Sequence, residues 1–311
     1  MGAYRAALAA VLVVAACGGN PFADDIGPVD PTVPVDPGGG VTVGNGVTVH
    51  KDVVGNMRTV ALAGNNTDPI KVNINSQDSA FLEGSYRRNP ALDVAGYKAY
   101  THQETGSNRM LVALVSDRLS SAKGVVAVDG GQFATYHGGG LYARAEAFTV
   151  PADPSGAQGK FNYSGTYVGL LNFGDAVPGG PGGDLDPVQS YRTSGRVLIT
   201  ADFQEMAISG GIDRRRIVDT GAGLATQMLY DGTIDENGNF NGKTQRLDVD
   251  ERGEGRLVDS GVYAGIFASD NASEIAALFV FKPIKGDDRA EERGLFTSAS
   301  CTVEGGPACS P

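Results

Sequence analysis

Tryptophan is missing from the 311 residues, and histidine and cysteine occur three times each. His50, His102 and His137 are far apart in sequence, with no pair at metal-ligand spacing. Nor is there a recognisable nucleophile motif for a serine or cysteine triad, so no metal site is expected. Three cysteines are too few for a disulfide scaffold. Basic residues are the minority, 25 Lys and Arg against 36 Asp and Glu, a formal charge of −11. An acidic chain disfavours nucleic acid and anionic lipid surfaces as partners. Convincing amphipathic helical segments are few.

One apolar run stands out, Ala6 to Ala16, preceded by Arg5. As a helix it spans ~16 Å against ~30 Å of hydrocarbon, too short to cross a bilayer and suited to the apolar region of a signal peptide. It ends in Val14-Ala15-Ala16-Cys17, which resembles the bacterial lipobox: small residues that admit a peptidase, then the cysteine that takes the lipid. Residues 1–16 are read as the signal peptide and Cys17 as the lipidated start of the mature chain. An ordinary signal peptide with a chance cysteine is the alternative. Gly18 replaces the aspartate that retains lipoproteins on the inner membrane, so an outer-membrane anchor is expected. Loss of Arg5 takes the charge from −11 to −12.

Residues 17–46 hold Pro21, Pro28, Pro31, Pro34 and Pro37, the triplet Gly38-Gly39-Gly40 and several aspartates. Little there can bury a core, and the segment reads as an extended tether. At the other end, Cys301 and Cys309 flank a Gly305-Gly306-Pro307 turn. In an oxidising compartment they are expected to form a disulfide clip, with residues 302–311 as a short tail.

Forty-five glycines far exceed the usual ~7%. They lie between short apolar runs, the pattern of many tight turns joining strands. In Val197 to Phe203 the residues Val197, Ile199, Ala201 and Phe203 share one face, opposite Arg196, Thr200 and Asp202, with Leu198 the exception. Similar runs occupy 161–173, 228–234, 239–249, 257–267, 275–284 and 295–300, with Met206 and Ile208 repeating the alternation. Turn signals are read at Gly210-Gly211, Asp235 to Gly238 and Lys285 to Asp288. Eight antiparallel strands with hairpin connections close naturally into a barrel, because closure removes exposed edges. The expected fold is all-β: an eight-stranded antiparallel barrel over 160–301, preceded by a smaller β-rich, handle-like region over 47–151. In that region Arg58–Ala63, Ile70–Ile74, Arg109–Val115, Val125–Val128 and Leu141–Val150 are candidate strands. The insert Asp175 to Gln189 is too long and irregular for a hairpin and is expected to be an exposed loop.

Two segments repeat one spacing, Gly165-Thr166-Tyr167-Val168-Gly169 and Gly261-Val262-Tyr263-Ala264-Gly265. Glycines two residues either side of a tyrosine share its strand face and let neighbours approach closely, a packing feature of a curved sheet. The second segment runs on through Asn271-Ala272-Ser273-Glu274 into a small-residue strand, and Asn239-Phe240-Asn241-Gly242 lies upstream. Together these resemble the barrel signature of transferrin-binding-protein-B-like surface lipoproteins. The resemblance covers about the last 140 residues. It departs in Ala276-Ala277, where glycines are usual, and in a single barrel instead of two handle-barrel lobes. It implies a non-enzymatic lipoprotein that binds a host or environmental protein, or haem or another iron source, through barrel and handle loops.

The competing reading is a secreted aspartic-type protease, with Asp219 in Asp-Thr-Gly-Ala and Asp259 in Asp-Ser-Gly. Two such loops must bring two carboxylates together to share a proton. Forty residues between them leave no room for two lobes, and hairpin turns use the same residues. His137, with Tyr136 and Tyr142 nearby, is the one plausible haem or iron contact, against the commoner exposed turn histidine. No resident cofactor is expected. Arg214-Arg215-Arg216 is an acidic-partner patch or, more commonly in so acidic a chain, a solvated strand end. Asp235 to Phe240 lacks the glycine and distal glutamate of a calcium loop and reads as a turn.

Overall fold

The computed structural model describes residues 41–42, 45–62, 70–74, 82–103, 110–130, 136–151, 159–173, 177–180, 183–185, 189–249, 252–284 and 290–301. The order is β1 (Val41–Thr42), β2 (Thr48–Val49), α1 (Lys51–Val54), β3 (Met57–Leu62), β4 (Ile70–Ile74), β5 (Leu82–Arg88), β6 (Lys98–Gln103), β7 (Met110–Ser116), β8 (Ala122–Val128) and β9 (Gly138–Arg144). Then follow β10 (Lys160–Asn172), β11 (Val177–Gly180), β12 (Gly183–Leu185), β13 (Tyr191–Asp202), β14 (Ala207–Ile217), β15 (Gln227–Ile234), β16 (Asn239–Val249), β17 (Gly255–Ala268), β18 (Glu274–Phe281) and β19 (Glu291–Ala299). Strands β10 and β13 to β19 form a closed antiparallel barrel, with β10 pairing β19 to seal it. Strands β3 to β9 form a seven-stranded sheet in sequence order. The all-β barrel-plus-sheet class is therefore as the sequence implies.

Alternation governs the barrel wall. Val197, Ile199, Ala201 and Phe203 are buried inside, and Leu198 is exposed outside. The lumen is not uniform. Where β10, β14, β16 and β18 begin, it is aromatic: the Phe267 ring lies 5.0 Å from both Phe203 and Phe240. Phe148, on the segment joining sheet to barrel, stacks on Phe203 over this end. Towards the opposite end the buried polar residues are Thr193, Arg215, Gln227, Thr244, Arg246, Ser260 and Glu292. The outer wall carries ion pairs such as Arg196–Asp213 and Lys243–Asp231. Ion pairs on the outer wall are the reverse of the apolar outer band of a lipid-spanning barrel. Among the described residues no helix is long and apolar enough to cross a membrane.

The barrel packs its outer side onto the sheet. Val168, Leu170, Ile266, Ala276, Leu278 and Leu295 join one core with Leu114, Val125, Val126 and Leu141. Glycine is required at that junction: a Cβ on Gly139 would stand 2.0 Å from the Val54 carbonyl, and one on Gly124 would stand 2.4 Å from Leu295.

Several expectations need correcting. Gly210-Gly211 is not a turn but lies within β14, where a Cβ on Gly210 would meet the Leu198 carbonyl at 2.2 Å. The reversal occurs at 203–206, with Met206 at φ 51. The insert over 175–189 contains a small antiparallel pair, β11 with β12, in which Val177 pairs Leu185 and Gly180 pairs Gly183. The sheet has two strands that the sequence did not suggest, β5 and β6, and β9 runs 138–144 in place of 141–150. Strand pairing and hydrogen bonds also reach residues before 47, since Val41 pairs Val49 and the Asn45 carbonyl accepts from Arg144 at 2.8 Å.

Candidate functional site

The signature residues build the barrel and fasten it to the sheet. Tyr167 lies in the lumen across Gly294, whose Cβ would come within 2.2 Å of the ring. Gly169 has no room either, since its Cβ would stand 2.6 Å from Thr193 Oγ1. Tyr263 fills the space over Gly242 and Gly232 and donates to the Ile208 carbonyl at 3.0 Å. Gly265 lies under the Phe240 ring, and Gly261 under the Val280 carbonyl. Gly165 is looser, with Phe296 at 3.2 Å from its would-be Cβ.

Asn271 and Ala272 both take positive φ, 54° and 52°, in the short 3-10 turn before β18. Ala272 is buried, and its carbonyl accepts the Tyr163 hydroxyl at 2.6 Å. Glu274 then points at the sheet. Oε1 accepts from the Ser120 hydroxyl at 2.6 Å; Oε2 accepts the amides of Ser121 at 2.9 Å and Ala122 at 2.7 Å. A carboxylate held by several N–H and O–H donors makes short, strong bonds. Tyr97 adds a second fastening, donating to the Thr166 carbonyl and accepting the Thr297 amide, both at 3.0 Å.

Inside the barrel, Glu292 accepts from Tyr167 at 2.8 Å, from Thr193 at 2.5 Å and from Arg215 at 2.5 Å. Arg215 also stacks its guanidinium 4.7 Å over Phe281. Burial, together with the neighbouring Glu292 charge, drives the Tyr167 pKa well above 10.0. This corrects the reading of Arg214-Arg215-Arg216 as one solvated strand end: the middle arginine is a lumen residue. A bulge explains the outcome. Ser194 pairs Arg216 while Arg196 pairs Asp213, so Gly195 alone faces Arg214 and Arg215, and Arg214 sits at φ 49. The extra residue shifts the alternation, sending Arg215 inwards and leaving Arg214 and Arg216 exposed.

The two aspartates of the protease reading do not form a dyad. Asp219, in the turn after β14, accepts the Arg192 amide at 3.0 Å and forms an ion pair with the Arg192 guanidinium. Asp259 lies on the exposed face of β17 and accepts from Gln245 at 3.0 Å and Tyr230 at 2.7 Å. Those two donors lower its pKa. Each carboxylate is thus engaged by its own neighbours and not by the other aspartate.

His137 is buried, not an exposed turn residue, and its amide donates to Asp129 at 3.0 Å. Tyr142 is buried in the sheet core; its hydroxyl donates to the Thr48 carbonyl at 3.0 Å and accepts the His50 amide at 3.2 Å. Among the described residues no cluster of His, Cys, Asp or Glu is placed to hold a metal. Asp235 folds back on its own hairpin, accepting the amides of Asn237 and Asn239. Cys301 donates its amide to Asn162 at 2.8 Å, sealing the end of the barrel. Cys17 and Cys309 lie outside the described residues.

A groove of about 810 Å³ lies between sheet and barrel. One wall is the turn Val94-Ala95-Gly96-Tyr97, where Ala95 and Gly96 both take positive φ and Tyr97 donates to the Val94 carbonyl at 2.9 Å. The other is the outer surface of β10, β13 and β14, carrying Arg196, Arg214 and Arg216. The arginine triplet flagged the place; the bulge that splits the triplet had no sequence signal.

No protein-family profile matches the chain, and no curated protein matches it. Among solved structures it is similar to a variant of the vaccine antigen Transferrin Binding Protein B from Haemophilus parasuis, at 11% identity and a TM-score of 0.38, covering 78% of this chain and 54% of that one. It is similar to HpuA from Kingella denitrificans in complex with human haemoglobin, at 12% identity and a TM-score of 0.37, covering 89% and 96%. A structure described as a surface lipoprotein has 13% identity and a TM-score of 0.38, covering 80% and 99%. The chain spans about half the length of the first of these.

Proposed function

We propose that this chain is a lipid-anchored, outer-membrane binding protein that takes a protein ligand at the junction of sheet and barrel, without catalysis. The observation that carries the reading is the junction groove, whose walls come from both units while Glu274 and Tyr97 hold those units in register. A surface that is rigid before binding loses little ordering entropy on association. The anchor rests on Val14-Ala15-Ala16-Cys17, and the tether on the Pro- and Gly-rich residues behind it. The barrel signature resembles that of surface lipoproteins with binding roles. Haem or another iron source is the other ligand class that the resemblance suggests.

Two experiments test this. Expressed with its own leader, the chain is expected to partition with outer membranes and to incorporate labelled palmitate, and Cys17→Ser is expected to be soluble and unlabelled. Membrane partitioning of Cys17→Ser without label defeats the anchor. A purified chain lacking residues 1–17, immobilised and exposed to extracellular protein mixtures, is expected to retain a discrete protein saturably. Absorbance titration with haem checks the other class: a saturable Soret shift without protein capture makes haem the ligand, and the absence of both capture and shift overturns the binding role.

A further inference from the structure

We infer that the junction groove takes an acidic protein segment with an aliphatic residue beside its carboxylates, an inference that rests on the binding role proposed above. The basic half is a product of the β14 bulge. Arg214 adopts a left-handed backbone that a long side chain rarely takes, and the gain is a pair of exposed arginines on the outer face of one strand. Both line the groove, as does Arg196. The groove's own carboxylates are already engaged: Asp213 takes Arg196 in a two-pronged pair at 3.0 and 2.5 Å, and Asp93 takes Arg88 at 2.6 and 2.5 Å. Those bonds to Arg196 hold the Asp213 pKa below its usual value. Among the described residues, Arg214 and Arg216 form no salt bridge. They leave local positive charge on a chain whose net charge is −11. A guanidinium fork fits a carboxylate with two parallel bonds.

The apolar half adjoins it. Leu198, Gly211 and Met228 stand in register across β13, β14 and β15, with Leu198 and Met228 more than two-fifths exposed. Gly211 between them has no side chain, and the result is a hollow of about 330 Å³ that shares Arg196 with the groove. Exposing two large apolar side chains around a bare glycine is unfavourable in water and fits an incoming aliphatic side chain. A polyanionic glycan has nothing to place there, and nucleic acid is repelled by the rest of the chain. Charge followed by apolar volume describes a peptide segment.

The test uses the whole mature chain and a fluorescein-labelled peptide of alternating Glu and Leu, read by fluorescence anisotropy. Saturable binding that weakens with added salt is expected. Replacing Glu by Gln in the peptide, or combining Arg214→Gln with Arg216→Gln in the protein, is expected to weaken binding about tenfold or more. Leu198→Ser is expected to weaken it several-fold. All three sites are exposed, so melting temperatures should stay unchanged, and the Gln peptide needs no protein variant at all. Equal affinity for the two peptides, or equal affinity of native and double-variant protein, overturns the inference. So does arginine-dependent binding of heparin oligosaccharide or haem by a chain that ignores the peptide. If a captured protein ligand is retained equally by the double variant, the groove chemistry fails and the binding role stands. If nothing is captured but the peptide binds through the arginines, the reverse holds.

Discussion

Glu274 Oε2 accepts the Ala122 amide at 2.7 Å, joining the first residue of β18 to the first residue of β8. The motif residue most easily mistaken for a ligand contact is therefore the bolt between barrel and sheet. Glu274→Ala strands the Ser121 and Ala122 amides in a buried junction. Unsatisfied donors of that kind cost about 2–4 kcal/mol together. We expect a denaturant midpoint lowered accordingly, and faster proteolysis of the 145–151 connection. A variant as stable as the parent would show that the bolt carries no load.

The lumen pair gives a second prediction. Arg215 and Glu292 are buried together, so removing one partner leaves the other charge uncompensated. Arg215→Met is expected to destabilise by about 3–5 kcal/mol. Adding Glu292→Gln to it should recover part of that loss, because the uncompensated carboxylate disappears. A double-mutant cycle in urea measures the coupling; strict additivity of the two single changes would refute it.

The barrel was more legible than the sheet, where five of the seven strands were read and β5 and β6 were not, for one physical reason. A barrel strand has one buried face, so Val197, Ile199 and Ala201 alternate with Arg196, Thr200 and Asp202. Strands β7, β8 and β9 are buried almost throughout, so no alternation marks them, while β5 and β6 carry Arg87, Arg88, Lys98 and Gln103 and read as loops. Leu198, the exception to its strand's pattern, proves to line the apolar hollow. Glycine pairs were ambiguous: Asn237-Gly238 is a turn, whereas Gly210-Gly211 is a close approach of strands. Nothing in Arg214-Arg215-Arg216 announced the bulge, and so neither the lumen salt bridge nor the exposed pair was foreseeable.

The barrel glycines should not be equivalent. A methyl group at Gly294 meets Tyr167 at 2.2 Å, whereas at Gly165 it meets Phe296 at 3.2 Å, a few tenths of an ångström tight. Gly294→Ala is expected to cost about 1–3 kcal/mol by overpacking, and Gly165→Ala distinctly less. Thermal melts rank the two. The reverse order would mean that the tyrosine is free to move and that the lumen is less tightly packed than its geometry implies.

Alkaline pH is the condition that the fold should withstand least. Burial raises the pKa of Tyr86, Tyr97, Tyr142, Tyr163, Tyr167 and Tyr263 above 10.0 in the folded chain. A raised folded pKa means that the unfolded chain releases its protons first. The associated stability is whole below pH 10 and is lost as the pH climbs beyond it. Six protons released on unfolding give a slope of up to about 8 kcal/mol per pH unit, steep enough for cooperative collapse. Absorbance at 295 nm should therefore show, beyond the titration of the remaining tyrosines, a sharp step above pH 10, coincident with loss of the β-sheet circular dichroism. A gradual phenolate titration with the dichroism intact would show that these hydroxyls reach solvent in the folded protein.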